Sequence, residues 1–372
     1  MIKVIDVVYY CHLEYGRPEQ VIEKHKLSLG FTDFIDKRID IGFVKHLVYT
    51  GIQKIKGISY AFFKRSNSFW NIPFRTHRYI KQQQPDIIIV EGFVFPLQLM
   101  MLRFKLGKKP LILVQHHGEK PFKGIKGVIQ KKSGKYIDAC LFTSLANADP
   151  WIEAGVIRSK NICYELLEAS TFMKREDKTT SMIKCRMNGK NNFLWVGRLD
   201  QNKDPLTVLN AFAAYLVQKP ASKLYMVYHE TGIEDEVKRC IKSYPLLSAS
   251  VTMLGYIPHE ELSYWYSAAD YYISGSHSEG SGYALLEAMA CGCIPVVTAI
   301  PSYNKITENG KYGFQFSPGN AEVLAEKLLS LEENDIKQLS VAVEKHFHEK
   351  LSFRKIADDL AGICNELVAV KS

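Results

Sequence analysis

Short apolar runs alternate with amphipathic segments along the whole chain. The runs are rich in β-branched residues, and the segments between them carry apolar residues at helical spacing. This alternation is typical of βα units that build a parallel sheet. In the first half of the chain we predict strands at 3–10, 86–90, 111–115, 138–143 and 161–166. In the second half we predict strands at 192–197, 223–229, 250–254, 271–276 and 294–299.

A polar segment separates the two sets of strands. Residues 172–192 contain few large apolar side chains, which favours an interdomain linker. A chain of 372 residues also suits two domains better than one. We therefore predict an α/β protein with two Rossmann-like, doubly wound domains that face each other across a ligand-binding cleft. The expected bounds are an N-terminal domain at 1–175, a second domain at 176–350, and a terminal helix at 351–372 that packs back on the N-terminal domain.

Composition narrows the class of protein. The eight cysteines show no CxxC spacing, so we interpret them as buried thiols of a reducing compartment rather than as a zinc site. The apolar start of the chain is interrupted by Asp6 and lacks a small-residue cleavage site, which favours a first strand over a signal peptide. The apolar run at 93–102 is too short to span a bilayer. We expect a cytoplasmic protein, soluble or peripheral on the inner face of the membrane.

The first stretch with recognisable chemistry is "FLWVGRLDQNKDPLTVLNAF", which begins at Phe193. A predicted strand ends before Arg198, and a helix begins with Asp204 as N-cap and Pro205 in its first turn. Arg198 and Lys203 then lie near the positive end of that helix, where cations are disfavoured by about 0.3–1 kcal/mol. A bound diphosphate would remove this conflict, because a guanidinium and an ammonium both suit phosphate. Extension of both side chains into solvent is the alternative.

The second stretch is "HSEGSGYALLEAMACGCIPV" at 277–296. It reads as a loop that leads into a helix, which ends at Gly292. The glycines of the loop leave the first N–H groups of the helix open to an anion. Glu279 lies on the loop, and Glu287 lies inside the helix among apolar neighbours, where a buried acid needs a partner. Two carboxylates beside a phosphate cradle suggest that the site binds a ribose and a second sugar.

Four motifs in the second half carry a resemblance to a known family. They are "VGRLDQNKDP", "LGYIPHEEL", "YSAADYYISGSHSEGSGYALLEAMACGCIPVV" and "ENGKYGFQFSPGN". In order and spacing they resemble the nucleotide-sugar-binding half of family 4 glycosyltransferases of the GT-B fold. The resemblance is dense from about 192 to 330 and thin over 1–175. It implies a retaining, metal-independent transfer of a hexose-type sugar to a hydroxyl, in surface polysaccharide or glycolipid synthesis.

The resemblance also implies roles for individual residues. Arg198 and Lys203 would hold the diphosphate, Glu287 the ribose and Glu279 the donor hexose. Backbone N–H groups of Gly282, Tyr283 and Ala284 would face the phosphate, and backbone groups of Tyr256 and Ile257 would contact the base. Ser281 departs from the family, which most often has an aromatic residue there. That departure bears on local packing and sugar preference, not on the diphosphate site.

The N-terminal half contributes fewer candidates. The strand "PLILVQ" ends in His116 and His117, and the family commonly has a histidine here that reaches the donor sugar. Counting from Pro110 favours His116, and His117 remains open, as does a plain surface pair. Gly16 resembles the glycine of a loop beside donor or acceptor, although Gly-Arg-Pro is equally a simple helix entry.

Other chemistries lack their signatures. There is no G-x-G-x-x-G after the first strand, no P-loop, and no Asp-x-Asp after a strand. We therefore expect no cofactor and no metal. Among nucleotide diphosphate sugars, we expect a UDP-sugar as the donor, although these motifs do not identify the base. A sugar-nucleotide epimerase, a glycan phosphorylase and a silent nucleotide-sugar sensor remain as alternatives, although a phosphorylase would need a lysine for a pyridoxal cofactor.

Charge distribution bears on the acceptor. Residues 1–178 carry 29 Lys and Arg against 17 Asp and Glu, whereas the remainder is slightly acidic. Within 57–84 and 108–135, cations stand among aromatic residues. The first of these stretches contains Phe62, Phe63, Phe69, Trp70, Phe74, Lys64, Arg65, Arg75, Arg78 and Lys81. This mixture favours an anionic membrane surface and a lipid-linked or glycan acceptor, and it does not indicate nucleic acid binding because no recognition module accompanies it. A solvated basic face over an ordinary core is the alternative.

Overall fold

The computed structural model describes residues 1–12, 15–35, 38–64, 68–229, 231–333 and 335–371. The chain forms two compact units, the first comprising Met1–Ala169 with Phe353–Ser372 and the second Ser170–Ser352. The boundary thus lies before Ser170 rather than after residue 175. The expected linker is not a loose segment throughout, because Lys178–Cys185 forms a helix of the second unit.

The described part of the first unit contains an eight-stranded sheet. Its strands are β1 Ile2–His12, β2 Ile39–Leu47, β3 Gly51–Ile55, β4 Ile58–Phe63, β5 Ile87–Glu91, β6 Leu111–Gln115, β7 Ala139–Phe142 and β8 Cys163–Glu165. They lie in the order β3-β4-β2-β1-β5-β6-β7-β8, and β3 runs antiparallel to β4 while the other pairs are parallel. The helices before the domain boundary are α1 Pro18–Lys24, α2 Lys26–Leu29, α3 Phe74–Gln83, α4 Pro96–Leu106, α5 Gly124–Ser133 and α6 Asp149–Glu153.

Both faces of this sheet are covered. In β5, Ile87 and Ile89 pack into one hydrophobic cluster, whereas Ile88 and Val90 pack into another. A strand buried on both faces needs apolar residues at every position, which explains the unbroken apolar runs in the sequence.

Strands β2, β3 and β4 were not predicted. Strand β2 carries Lys45 and His46 near its C-terminal end, and both side chains are buried. His46 bonds to the Val8 carbonyl oxygen at 2.7 Å and to Thr76 Oγ1 at 2.9 Å. These buried polar residues interrupt the apolar pattern from which a strand would be predicted.

The second unit contains a parallel sheet of six described strands in the order β11-β10-β9-β12-β13-β14. They are β9 Asn192–Val196, β10 Lys223–Val227, β11 Val251–Gly255, β12 Tyr271–Ser274, β13 Ile294–Thr298 and β14 Phe314–Phe316. The helices are α7 Lys178–Cys185, α8 Pro205–Gln218, α9 Glu234–Ser243, α10 Pro245–Ser250, α11 Leu262–Ala268, α12 Tyr283–Ala290, α13 Pro301–Ile306, α14 Ala321–Leu329 and α15 Ile336–His346. Five of these strands lie where the sequence predicts them, and the short β14 was not predicted.

The last helix, α16 Phe353–Lys371, belongs to the first unit. Its apolar face, including Leu360 and Cys364, lies in the same hydrophobic cluster as β1 and β5. Polar contacts hold it at the surface as well, since Tyr164 donates to Glu366 at 3.0 Å. Of the helices in the described residues, none combines the length and apolar character needed to cross a membrane.

Candidate functional site

In the loop after β9, the Asp200 carboxylate contacts the side chain of Arg198 and the backbone of Lys203. Asp200 Oδ2 lies 3.1 Å from Arg198 Nε, and Asp200 Oδ1 accepts from the backbone N of Lys203 at 2.9 Å. Asp204 is the N-cap of α8, as predicted, and accepts from the backbone N of Thr207 at 3.1 Å. Asp200 therefore sets the shape of the loop that presents Arg198 and Lys203, a role that the sequence motif did not reveal.

The loop after β12 is hydrogen-bonded to the loop after β9. The backbone N of His277 donates to the Asn202 carbonyl at 2.8 Å, and Asn202 Nδ2 donates to the Ser278 carbonyl at 3.0 Å. His277 Nε2 also lies 2.9 Å from the cap residue, at Asp204 Oδ2. These contacts join the ends of two neighbouring parallel strands, where doubly wound sheets bind their ligands.

Lys203 and Glu279 form an ion pair between these two loops. Their side chains are only 20% and 12% exposed. Ser302 Oγ donates to the Glu279 carbonyl at 2.6 Å, and Tyr303 OH lies 3.4 Å from the Glu279 carboxylate. The fold thus brings the expected diphosphate ligand Lys203 and the expected hexose ligand Glu279 into direct contact, and the other contacts hold Glu279 in place.

Helix α12 begins beside this pair. Its N-cap Gly282 has φ 65°, and a Cβ at that position would lie 2.7 Å from the Tyr303 ring, so both conformation and space require glycine. Tyr283 is partly exposed at the first turn. Ser281 is buried, and its hydroxyl has no hydrogen-bond partner within the described part of the chain. Tyr303 thus lies beside both the start of α12 and the Glu279 carboxylate, so the positive end of the helix is close to the Lys203–Glu279 pair.

Glu287, one and a half turns into α12, is only 4% exposed. Its Oε1 lies 2.6 Å from His259 Nε2, and its Oε2 accepts from Tyr266 OH at 3.1 Å. Burial, together with the charge of Glu287, raises the pKa of Tyr266 well above its ordinary value, so the phenol keeps its hydrogen. The expectation that a buried Glu287 has partners is confirmed, but neither partner was foreseen.

The residues expected at the base lie next to His259 in the chain. Tyr256 is largely exposed, and Ile257 is half-buried. Both follow β11 and precede His259, so one short segment carries the expected base contacts and the partner of Glu287.

His116, at the end of β6, is buried and surrounded by aromatic rings. Its ring centroid lies 5.0 Å from that of Phe142. Its Nε2 is 3.1 Å from the Glu119 carbonyl oxygen, and its Nδ1 accepts from the backbone N of Gly118 at 3.4 Å. Burial lowers its pKa, which favours the neutral ring. Both ring nitrogens of His116 therefore contact the backbone of its own loop.

His117 lies in a different environment, with its side chain 33% exposed. Its ring contacts Glu91 through Nε2 and Glu168 through Nδ1, the latter at 2.7 Å. Burial would lower the pKa of His117, but Glu168 and Glu91 outweigh burial and raise the pKa well above its ordinary value. His117 is therefore an imidazolium between two carboxylates, and neither acid was foreseen from the sequence.

Two remaining expectations concern Gly16 and a metal. Gly16 is exposed ahead of α1, and a Cβ there would meet no atom within 4 Å, so packing does not require glycine. Across the six described ranges, no group of three His, Cys, Asp or Glu residues is placed to hold a metal ion.

The second unit resembles known proteins in sequence. Residues 178–346 match the family model described as glycosyl transferases group 1. Two curated relatives are O-antigen chain mannosyltransferase B of Escherichia coli, 25% identical over 150 residues, and alpha-monoglucosyldiacylglycerol synthase of Streptococcus pneumoniae, 27% identical over 152 residues. Each alignment covers 40% of this chain, and 39% and 34% of the respective relative. The chain thus matches well under half of either relative.

Among solved structures, HepE from Anabaena in complex with UDP superposes with a TM-score of 0.73 at 16% identity. The superposition covers 98% of this chain and 100% of that chain. This likeness confirms the predicted fold class, the two-domain, Rossmann-like α/β fold of GT-B proteins. The second unit is thus similar in sequence to glycosyl transferases group 1.

Proposed function

We propose that the protein is a retaining, family 4 glycosyltransferase that moves a hexose-type sugar from a nucleotide diphosphate sugar to a hydroxyl. The acceptor is a glycan or a lipid-linked molecule of surface polysaccharide or glycolipid synthesis. One observation carries the proposal: Lys203 and Glu279, from separate loops, meet beside the N-terminus of α12. A cation, a carboxylate and open helix N–H groups suit a phosphate that is attached to a sugar.

In this proposal the diphosphate lies against Arg198, Lys203 and the first N–H groups of α12. The N–H groups are those of Gly282, Tyr283 and Ala284. Because these groups are fixed before the donor arrives, they stabilise the charge that develops on the leaving diphosphate without reorganisation. The charge of Lys203, now paired with Glu279, would be shared with the phosphate.

The sugars of the donor are assigned to the two carboxylates. Glu287 accepts the ribose hydroxyls, and Glu279 accepts hydroxyls of the hexose, since ionised carboxylates offer only acceptors. Backbone groups of Tyr256 and Ile257 contact the base. We propose a UDP-sugar as donor, which is supported by the UDP in the HepE structure. Either His116 or His117 is assigned to the donor sugar, because neither ring differs from the other in having a free nitrogen. The nitrogens of His116 contact its own loop, and those of His117 contact Glu91 and Glu168.

The proposed reaction breaks the bond between the anomeric carbon and the phosphate oxygen. The acceptor oxygen bonds to the anomeric carbon on the same face, and its proton passes to the departing phosphate oxygen. The products are a glycoside and a nucleoside diphosphate. The transition state resembles the oxocarbenium ion of glycoside hydrolysis. Charge stabilisation is assigned to Arg198, Lys203 and backbone amides, without a metal.

The acceptor is proposed to lie at an anionic membrane surface on the cytoplasmic side. In the first unit, Trp70 is 65% exposed and packs on Phe69, whose ring also contacts Phe122 and lies under Lys126 Nζ at 5.3 Å. Ile125 and Val128 are exposed on the helix that carries Lys126. Exposed apolar side chains beside lysines suit an interface with anionic lipid. The name of the pneumococcal relative, which contains diacylglycerol, is consistent with this proposal.

Not every residue of the basic aromatic stretch fits this surface. Phe62 is buried in the core, and Phe63 is half-buried. Phe74, Arg75 and Arg78 are exposed. Arg65 lies outside the described residues.

Turnover and binding measurements test the proposal. Calorimetry with UDP, GDP and ADP identifies the base, and incubation with the matching sugar nucleotides and lipid or glycan acceptors should yield a glycoside with retained anomeric configuration. Activity should survive excess EDTA; loss that manganese or magnesium restores would contradict the metal-free step. An epimerase would convert the sugar nucleotide without acceptor, and a sensor would bind it without any product. Lys242→Ala, on the exposed face of α9, serves as the matched control for Lys203→Ala.

A further inference from the structure

The carboxylate of Glu287 is held by two side chains that contact different oxygens. His259 Nε2 lies 2.6 Å from Oε1, and Tyr266 OH donates to Oε2 at 3.1 Å. An ionised carboxylate has only acceptors, so the His259 nitrogen that faces it carries the hydrogen. Tyr266 is fully buried, whereas His259 is more than one-third exposed at the side chain. His259 is therefore the anchor on the solvent side of the carboxylate.

The two contacts leave a defined acceptor capacity. Each carboxylate oxygen can accept about two hydrogen bonds. With one position on each oxygen occupied, one further position remains on each of the two oxygens. A ribose presents two neighbouring hydroxyl donors, which match this arrangement. His259 need not leave for a ribose to bind; it instead prevents the carboxylate from rotating.

We infer that His259 is a positioning residue that holds Glu287 for the ribose and thereby makes the site discriminate ribose from 2′-deoxyribose. The inference rests on the proposed function, in which Glu287 binds the ribose. His259 lies two residues after Ile257 in the chain, so its bond to Glu287 links the segment expected at the base to the carboxylate expected at the sugar. Without this bond, Glu287 keeps only the Tyr266 anchor among its described contacts.

The test measures the ratio of dissociation constants for 2′-deoxy-UDP and UDP by calorimetry. If GDP or ADP is the preferred diphosphate, the corresponding deoxy pair replaces it. His259→Gln places an amide N–H near the position of Nε2, whereas the shorter His259→Asn cannot reach Glu287. We expect wild type and His259→Gln to prefer the ribonucleotide, and His259→Asn to lose about tenfold in this ratio, the size of one charge-assisted hydrogen bond.

The ratio separates positioning from a merely structural role, because a general loosening of the site weakens both ligands equally. His259→Asn with an unchanged or larger ratio would overturn the inference; a larger ratio would mean that His259 competes with the ribose. If the His259 variants fail to fold, Tyr266→Phe removes the other anchor and should lower the ratio in the same way. His348→Gln, an exposed histidine of the same unit, is the control.

The outcomes also distinguish the inference from the proposed function. A wild-type protein that binds none of UDP, GDP and ADP contradicts the proposed function itself. A wild-type protein that binds the diphosphate but does not prefer ribose contradicts the role of Glu287 and this inference, and leaves the diphosphate site standing. A preference that survives in His259→Asn contradicts the inference alone.

Discussion

The two units place ionisable residues toward the carboxyl ends of parallel strands, but these residues are paired differently in the two units. In the second unit, Lys203 and Glu279 form a pair between two loops at the strand ends. In the first unit, the ionisable groups extend into the strands: Asp6 in β1 and Lys45 in β2 are both buried, and Glu91 ends β5. A pair in loops can open to share its charge with a ligand, whereas a network inside a sheet is held by the packing around it.

In the first unit, Asp6, Lys45, Glu91 and His117 form a largely buried network, and their pKa values are shifted by burial and by one another. Burial and the charge of Glu91 raise the pKa of Asp6 well above its usual value, so Asp6 keeps its proton. Burial would also raise the pKa of Glu91, but His117, Asp6 and Lys45 lower it to about 2. Burial lowers the pKa of Lys45, and Asp6 and Glu91 oppose that shift. Each charge here depends on its neighbours, so the removal of one leaves the others unpaired.

The largest effect is expected for His117→Ala, which leaves Glu91 and Glu168 without their shared cation. Loss of one partner from a buried ion pair lowers the free energy of unfolding by about 3–5 kcal/mol. Because His117 is partly exposed, we expect a loss near the lower end, about 3 kcal/mol at pH 6. Because folding raises the pKa of His117, its stabilisation is complete below about pH 6.5 and declines as the pH rises through the folded value. Urea unfolding of both proteins between pH 6 and 9 measures this difference.

The exposed His348→Ala is the control for that experiment, because its substitution should leave the unfolding free energy nearly unchanged at every pH. A His117→Ala deficit that stays constant between pH 6 and 9 would contradict the imidazolium assignment. It would also remove the difference between the two units, in which the charged network of the first unit stabilises the fold and the Lys203–Glu279 pair of the second unit is proposed to bind a ligand.

Binding at the second unit should show the next largest effect. Lys203→Ala and Arg198→Ala should each weaken UDP binding by about 1.5–3 kcal/mol, because each removes a charge-assisted contact to phosphate. Binding of uridine should barely change. Calorimetry with both ligands, and with Lys242→Ala as the matched variant, measures this. Equal losses for UDP and uridine would show that these cations do not contact phosphate.

Glu279→Gln and Glu287→Gln should separate turnover from affinity. Glu279→Gln should lower kcat by about tenfold or more with little loss of donor affinity, since the substitution also releases Lys203 for the diphosphate. Glu287→Gln should chiefly lower donor affinity. Steady-state kinetics together with calorimetry tests this, and the opposite pattern would exchange the roles of the two acids.

The smallest effect for a single residue is expected at the basic surface of the first unit that we propose binds anionic lipid. Charge reversal at Lys64, Arg75 or Arg78 should weaken sedimentation with anionic liposomes by about 1 kcal/mol each at low salt. Reversal at Arg65 belongs to the same series. Lys242→Glu, in the second unit, should have no effect. Sedimentation that is unchanged in the combined variant would argue for the alternative of a solvated basic face.

Local features of the chain predicted much of the second unit. Strand runs, the Asp204 cap and the glycine at the start of α12 depend on residues close together in sequence, and all three are present in the structure. The first unit was less predictable. Strand β2 was missed because Lys45 and His46 interrupt its apolar pattern, and β14 has only three residues, which is too short for a periodicity to show.

The sequence by itself determined the α/β class, most strands, and the loops that carry Arg198, Lys203, Glu279 and Glu287. Only the tertiary structure decided the partners of these residues, because they are remote in sequence. Lys203 meets Glu279 across 76 residues, and His259 meets Glu287 across 28. Strand periodicity and helix caps follow from neighbouring residues. Which buried charge meets which depends instead on strand order and on the packing of a whole unit, and no short segment of the chain contains that information.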